Sequence, residues 1–186
     1  MKTRLAAAVA AFCLAAPFAQ AADPTVDSLT AGVTFEEYTS PTPVGQGLVD
    51  KNTLFFIDEQ IGPLGKSWYI FFDPADTVDV FANITFDGPI LSVISTKSGL
   101  DSTNATYGAA GITYGTSLLI GLEPPFKGDT FSIFGNVLTI SWRSSDPGDH
   151  IRVFTQVTQV PEPETYALMM AGLVTVGFIA RRRRRA

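Results

Sequence analysis

The sequence holds one cysteine, Cys13, and one histidine, His150, in 186 residues. Cys13 lies inside an apolar N-terminal run, so once that run is removed no thiol remains, and a disulfide framework, a thiolate metal site and a cysteine nucleophile are all excluded. A mononuclear zinc site fails for want of imidazoles and thiolates. Any imidazole-based triad would have to use His150, with Asp146 and Asp149 close by, yet nothing resembles a nucleophile elbow, and this histidine reads as a polar residue of a Ser-Asp-Pro-Gly-Asp turn. Basic residues are also scarce between the two ends. Lys51, Lys66, Lys97, Lys127, Arg143 and Arg152 are the six bases of residues 22–159, against 16 acids, a net charge of −10 for that body. Such an acidic surface argues against nucleic acid or anionic lipid as a partner. Long apolar runs are missing from the body and occur only at the two ends.

At the N-terminal end, Lys2 and Arg4 precede an apolar stretch over residues 5–19 broken only by Pro17. Ala19 and Ala21 place small residues at the −3 and −1 positions of a cut, so residues 1–21 read as a secretory signal peptide cleaved after Ala21, its apolar part helical. Cys13 follows Ala11 and Phe12, not the small residues of a lipoprotein site, so lipidation is not expected.

Residues 22–159 suffice for one domain, and no shift in composition divides them. Residues 53–57, 67–72, 78–86 and 89–96 are short runs rich in Phe, Ile, Val, Tyr and Trp, separated by Gly-Pro-Leu-Gly, Asp-Pro-Ala-Asp and Asp-Gly turns. Such spacing predicts strands. Val78, Val80, Ala82, Ile84 and Phe86 alternate with Asp79, Phe81, Asn83 and Thr85, which puts one face of that strand on a core. Further strands are predicted at 117–120, 130–134, 137–143 and 151–157, with Gly135 and Asn136 as a tight turn. In residues 23–49 only 33–38 looks like a strand, and 98–116 reads as a long loop or a weakly patterned hairpin. The expectation is an all-β, antiparallel β-sandwich, jelly-roll-like, flanked by the signal helix and a C-terminal transmembrane helix.

The C-terminal segment, residues 160–186, is three unlike pieces in series. Pro161, Glu162 and Pro163 form a stiff, extended, acidic stretch, because proline fixes φ and removes a backbone donor. Residues 166–180 carry no charge; as a helix they span about 22 Å against a hydrocarbon core of about 30 Å. Arg181, Arg182, Arg183, Arg184 and Arg185 follow. Their stems can lengthen the span, and a basic cluster marks a cytoplasmic flank, which places the body on the far side of the membrane. A core helix of a soluble domain has no use for such an end.

In this order the pieces resemble the PEP-CTERM sorting signal of Gram-negative bacteria, with Thr165, Tyr166, Ala167, Leu168, Met170, Ala171, Gly172, Leu173 and Gly177 where that family usually has them. The resemblance covers about one seventh of the chain. It implies recognition by exosortase, a membrane-embedded cysteine transpeptidase that cuts near the Pro-Glu-Pro residues, after secretion through the translocon. The membrane is then a transient holding place and the destination is the cell surface or exterior. It further implies an association with exopolysaccharide or biofilm. It assigns no activity to the body.

Several residues of the body could carry chemistry. Asp73, Asp76 and Asp79 form a spaced carboxylate series at a turn, a weak calcium candidate whose spacing departs from an EF-hand and which equally suits a solvated turn. Glu36, Glu37, Asp58, Glu59 and Glu123 could supply paired carboxylates for sugar hydrolysis, but among so many acids some pair is always available. Trp68, Tyr69, Phe71, Phe72 and Trp142 could stack on sugar rings or form the core. Asn83 and Asn104 begin sequences that fit the glycosylation acceptor pattern. The reading is an exported, non-enzymatic surface or matrix protein without a cofactor. A secreted carbohydrate-binding module, assisted by calcium, is the alternative; exposed aromatics in a row would favour it.

Overall fold

The computed structural model describes residues 21–122, 128–157, 169–173, 175–176 and 181. Residues 21–158 form one compact unit. In chain order its elements are β1 (Thr25–Leu29), β2 (Thr34–Glu37), β3 (Thr53–Gly62), β4 (Gly65–Phe72), β5 (Val78–Thr85), β6 (Ile90–Ile94), α1 (Lys97–Tyr107), β7 (Thr130–Phe134), β8 (Val137–Ser144) and β9 (Asp149–Thr155). One sheet has four strands in the order β1-β5-β8-β7, and the other five in the order β2-β3-β4-β9-β6.

The all-β expectation holds for the strands, with two corrections to their arrangement. The five-stranded sheet is mixed, because β2 pairs parallel with β3, Thr34 opposite Thr53 and Glu37 opposite Phe56. A parallel neighbour needs a crossover of about a dozen residues or more, and residues 38–52 provide it. The run 117–120 is not a strand: Leu118 and Leu119 occupy an exposed turn. The segment 23–49 also holds an unpredicted strand, β1, a sheet edge whose residues are exposed or half-buried and so carry little apolar pattern.

Between the sheets lies one core. The five-stranded sheet contributes Leu54, Phe56, Trp68, Ile70, Phe72, Ile151 and Val153, and the four-stranded sheet Val80, Ala82, Ile84, Leu138, Ile140 and Trp142. In β5 the predicted alternation appears as burial, Val80, Ala82 and Ile84 inward and Asp79 and Phe81 outward. The outward face of that sheet meets water.

The outward face of the five-stranded sheet does not. Phe55, Ile57, Tyr69 and Phe71 project from it into a second cluster with Tyr38, Val44 and Leu100, roofed by residues 38–49, α1 and residues 109–114. β3, β4 and β9 are therefore buried on both faces and show no alternation. The run 98–116 is accordingly not a loop throughout. Its first part is helix α1, in which Thr96 caps the N-terminus by accepting from Gly99 N, and Gly108 N donates to Asn104 O at the C-terminus. Its composition, with Gly, Ser, Thr, Asn and Asp, is poor for helix. Tertiary contacts hold it instead: Leu100 and Tyr107, two turns apart, are buried against the sheet, and the Tyr107 ring meets Phe154 edge-on at 4.8 Å.

Candidate functional site

The residues with chemical potential in the body gather at two places. The first lies under α1. Arg152, in the middle of β9, is wholly buried, and its guanidinium grips Glu59 of β3 through two bonds, Nε to Oε2 and Nη2 to Oε1, both 2.7 Å. Nη1 also donates to Leu100 O at 2.9 Å and to Thr103 Oγ1, and Nη2 to Asn104 Oδ1 at 2.8 Å. Glu59 accepts in addition from Tyr114 Oη at 2.6 Å and from Ser67 Oγ. The guanidinium lies 5.1 Å from the Tyr69 ring centroid and 5.6 Å from that of Tyr114. Burial pushes both phenols above their ordinary range, Arg152 opposing and Glu59 reinforcing the rise. Every nitrogen of the guanidinium has an acceptor, and the pair ties sheet to helix. Such a network fixes how the sheet packs against the helix.

The second place is the end of the body at the turns 73–77 and 145–148. A cleft of about 400 Å³ there is lined by Thr77, Leu119, Asp129, Arg143, Asp146 and Asp149 among others. At this end Arg143 N donates to Asp129 Oδ1 at 2.7 Å, and Ser144 Oγ donates to Phe72 O and accepts from Asp149 N.

The predicted candidates distribute as follows. His150 is wholly buried, stacked on Phe71 with rings 5.4 Å apart and 4° from parallel, and Nε2 donates to Pro147 O at 3.0 Å. Burial pushes its pKa down to about 4, against a rise from the Pro147 carbonyl. It is a core ring with Nδ1 unpartnered, and not the polar turn residue the sequence suggested. Asp73, Asp76 and Asp79 do not converge. Asp73 is buried, Oδ2 accepting from Val49 N, and its pKa is raised to about 6 by desolvation, then by Asp146 and Asp50. Asp76 is exposed, and Asp79 pairs with Arg143 on the wet face of the four-stranded sheet. Among the described residues no group of three or more His, Cys, Asp or Glu is placed to hold a metal ion.

Of the carboxylates considered for hydrolysis, Glu36 and Glu37 stand exposed on β2, Asp58 pairs with Lys66, and Glu59 is held by Arg152. Glu123 lies outside the described residues. Trp68, Tyr69, Phe71, Phe72 and Trp142 are all at most 2% exposed. They build the two cores, and the carbohydrate-binding alternative loses the stacking platform on which it rested. Asn83 accepts from Thr139 Oγ1 in β5 and Asn104 from Arg152 in α1, so both acceptor patterns sit in regular structure with the amide engaged. Neither Arg152 nor its partnership with Glu59 was anticipated. The available signal was a lone arginine between Ile151 and Val153 in a strand apolar on both faces.

Of the terminal signals, Ala21 is buried against the inter-sheet core, while Ala19 lies outside the described residues. Pro161, Glu162, Pro163, Arg182, Arg183, Arg184 and Arg185 also lie outside them, as does most of the span 166–180. Residues 169–173 are helical, and Thr175 Oγ1 donates back to Ala171 O at 2.7 Å. No helix among the described residues is long and apolar enough to cross a membrane.

No curated protein and no solved structure matches the chain. Residues 159–185 match the family profile of the PEP-CTERM protein-sorting motif. The match begins where the β body ends, and the chain is thus one that carries a PEP-CTERM sorting motif.

Proposed function

We propose that this chain is an exported, non-enzymatic protein whose C-terminal segment hands a folded β-sandwich cargo to an exosortase-type membrane transpeptidase, for release to the cell surface or extracellular matrix. The observation that carries this reading is the sorting motif over residues 159–185. In it, residues 1–21 direct export and are removed, residues 166–180 hold the chain in the inner membrane in transit, and the five arginines stay on the cytoplasmic side. Cutting near Pro161, Glu162 and Pro163 then frees the body. Three features of the body support a cargo role: His150 is sequestered, Glu59 is locked by Arg152, and the large aromatics are committed to packing. An acidic body of this kind suits a soluble component of an exopolysaccharide-rich matrix.

Intact-mass measurement of the protein released from cells tests the reading. The expected mass lacks both the residues before Ala22 and the arginine cluster. Release with Arg181, Arg182, Arg183, Arg184 and Arg185 still present in every molecule would overturn the processing step. Changing the five arginines together to Gln is expected to impair orientation and leave unprocessed precursor.

A further inference from the structure

Both ends of the compact unit leave from the same pole. Ala22 N donates to Asp87 Oδ2 at 3.1 Å, and Gln156 N donates to Pro89 O at 2.9 Å, so the first and last described stretches of the body meet on the turn that joins β5 to β6. Two hairpin tips close around this turn. Phe86 N and Ile90 N donate to Asn136 O and Gly135 O of the β7–β8 tip. At the β3–β4 tip, a Cβ built on Gly65 would lie 3.2 Å from the Leu91 side chain.

This pole is rimmed with exposed apolar side chains: Ile61 and Leu64 on the β3–β4 tip, Leu91 on β6, and Ile133 and Phe134 on the β7–β8 tip. Phe134 is 87% exposed. The opposite pole also exposes Leu48, Leu118 and Leu119, but there they stand beside Asp50, Asp129 and Asp146. Several exposed large hydrophobics collected at one end of a chain mark a surface that is covered by something.

What covers it follows from where the chain goes next. Only residues 158–165 separate this pole from the uncharged run that begins at Tyr166, and fully extended they reach at most about 28 Å. A lipid surface that holds the sorting signal is therefore always within reach of the rim. We infer that the rim of Ile61, Leu64, Leu91, Ile133 and Phe134 rests on the headgroup boundary of that membrane, so that the tethered body is docked with the cleft lined by Leu119 and Asp146 turned outward. Apolar and aromatic side chains at that depth are stabilised, and the exposed Asp23 and Asp87 of the same pole favour a zwitterionic over an anionic surface. The inference rests on the proposed membrane-held stage of the chain.

Full-length protein with Cys13→Ala and one added thiol, at Leu64→Cys or Phe134→Cys on the rim and Thr77→Cys or Ser145→Cys on the far pole, reconstituted into phosphatidylcholine vesicles, gives the test. Thiol modification at the rim is expected to slow about tenfold on reconstitution, with the far-pole sites unchanged. Quenching by nitroxide-labelled lipid is expected at the rim alone. Rim and far-pole thiols reacting alike in vesicles to which the protein is bound would overturn the docking. So would rim protection that rises with protein density and occurs equally in detergent, which would assign the rim to a second copy of the chain. Failure of the chain to float with vesicles at all would instead defeat the membrane-held stage.

Discussion

The two sheets share one core and differ in what lies on their backs. The four-stranded sheet turns Asp79, Phe81, Ser141 and Arg143 to water, and its strands alternate inward and outward. The five-stranded sheet carries α1 and two long connections on its outer face, and its central strands are buried on both sides. One back is solvated, and the other is a second core with a buried ion pair at its centre. The contrast teaches that stability here depends on polar satisfaction on one side of the molecule and hardly at all on the other.

The largest break of this comparison is Arg152→Met. It leaves the Glu59 carboxyl buried without its guanidinium and held only by Tyr114 and Ser67. Removing one partner of a buried pair costs about 3–5 kcal/mol. The loss should register in urea unfolding and as faster amide exchange through residues 97–107, since the helix loses three acceptor contacts to the guanidinium at once. Arg152→Met with Glu59→Leu is expected to recover most of that loss. A single variant within about 1 kcal/mol of the parent, with α1 exchange unchanged, would show the network to be incidental.

The same contrast decides what was legible in the sequence. In β5, Val80, Ala82 and Ile84 face the core while their neighbours face water, so a period of two is written directly into the residues. β3, β4 and β9 were legible as strands from Phe, Ile, Val, Tyr and Trp, but which side was covered was not, because continuous burial erases the period. Helix α1 was invisible because it is formed by Leu100, Tyr107 and the grip of Arg152, contacts from far along the chain that override a poor local propensity. His150 was misread for a similar reason. Its local sequence describes a turn, whereas its ring is stacked on Phe71 from another strand. The sorting motif was the opposite case, since it is read as linear sequence and needs no fold to be recognised.

A pH titration of stability sharpens the comparison, because His150 in β9 of the covered sheet and Asp73, just past the end of β4, are shifted in opposite senses. The pKa of His150 falls to about 4 from 6.5, so the unfolded chain binds more protons in between, and stability is lost as pH drops from 6.5 through 4. The full loss corresponds to about 3 kcal/mol. The pKa of Asp73 rises to about 6 from 3.8, so the folded chain binds more protons between those values, and stability is lost as pH rises from 3.8 through 6. The two slopes oppose each other across most of that window, and the parent protein should show a shallow profile. His150→Phe keeps the stacking on Phe71 and is expected to become more stable on acidification from pH 6 to 4. Asp73→Asn is expected to become less stable over the same range. Identical profiles for both variants, followed by urea midpoints, would refute the assignment of these slopes to His150 and Asp73.

The smallest effect belongs to the open face. Arg143 Nη1 lies 3.3 Å from Asp79 Oδ1, with the two side chains 63% and 74% exposed. In water the attraction is offset by the ordering of two long side chains and screened by salt, so pairs of this kind contribute about 0–1 kcal/mol. Arg143→Ala is therefore expected to shift the urea midpoint by no more than that, and by less in high salt. It leaves the Asp129 contact intact, because that bond is made by the Arg143 backbone N–H. Arg143 and Arg152 lie in neighbouring strands of the chain, β8 and β9, each bonded to a carboxylate. Both are guanidinium–carboxylate pairs; burial, and the further bonds Arg152 makes to Leu100, Thr103 and Asn104, separate them. A loss at Arg143 as large as that at Arg152 would mean that the outer face of the four-stranded sheet is also covered in solution, and the contrast between the two backs would fail.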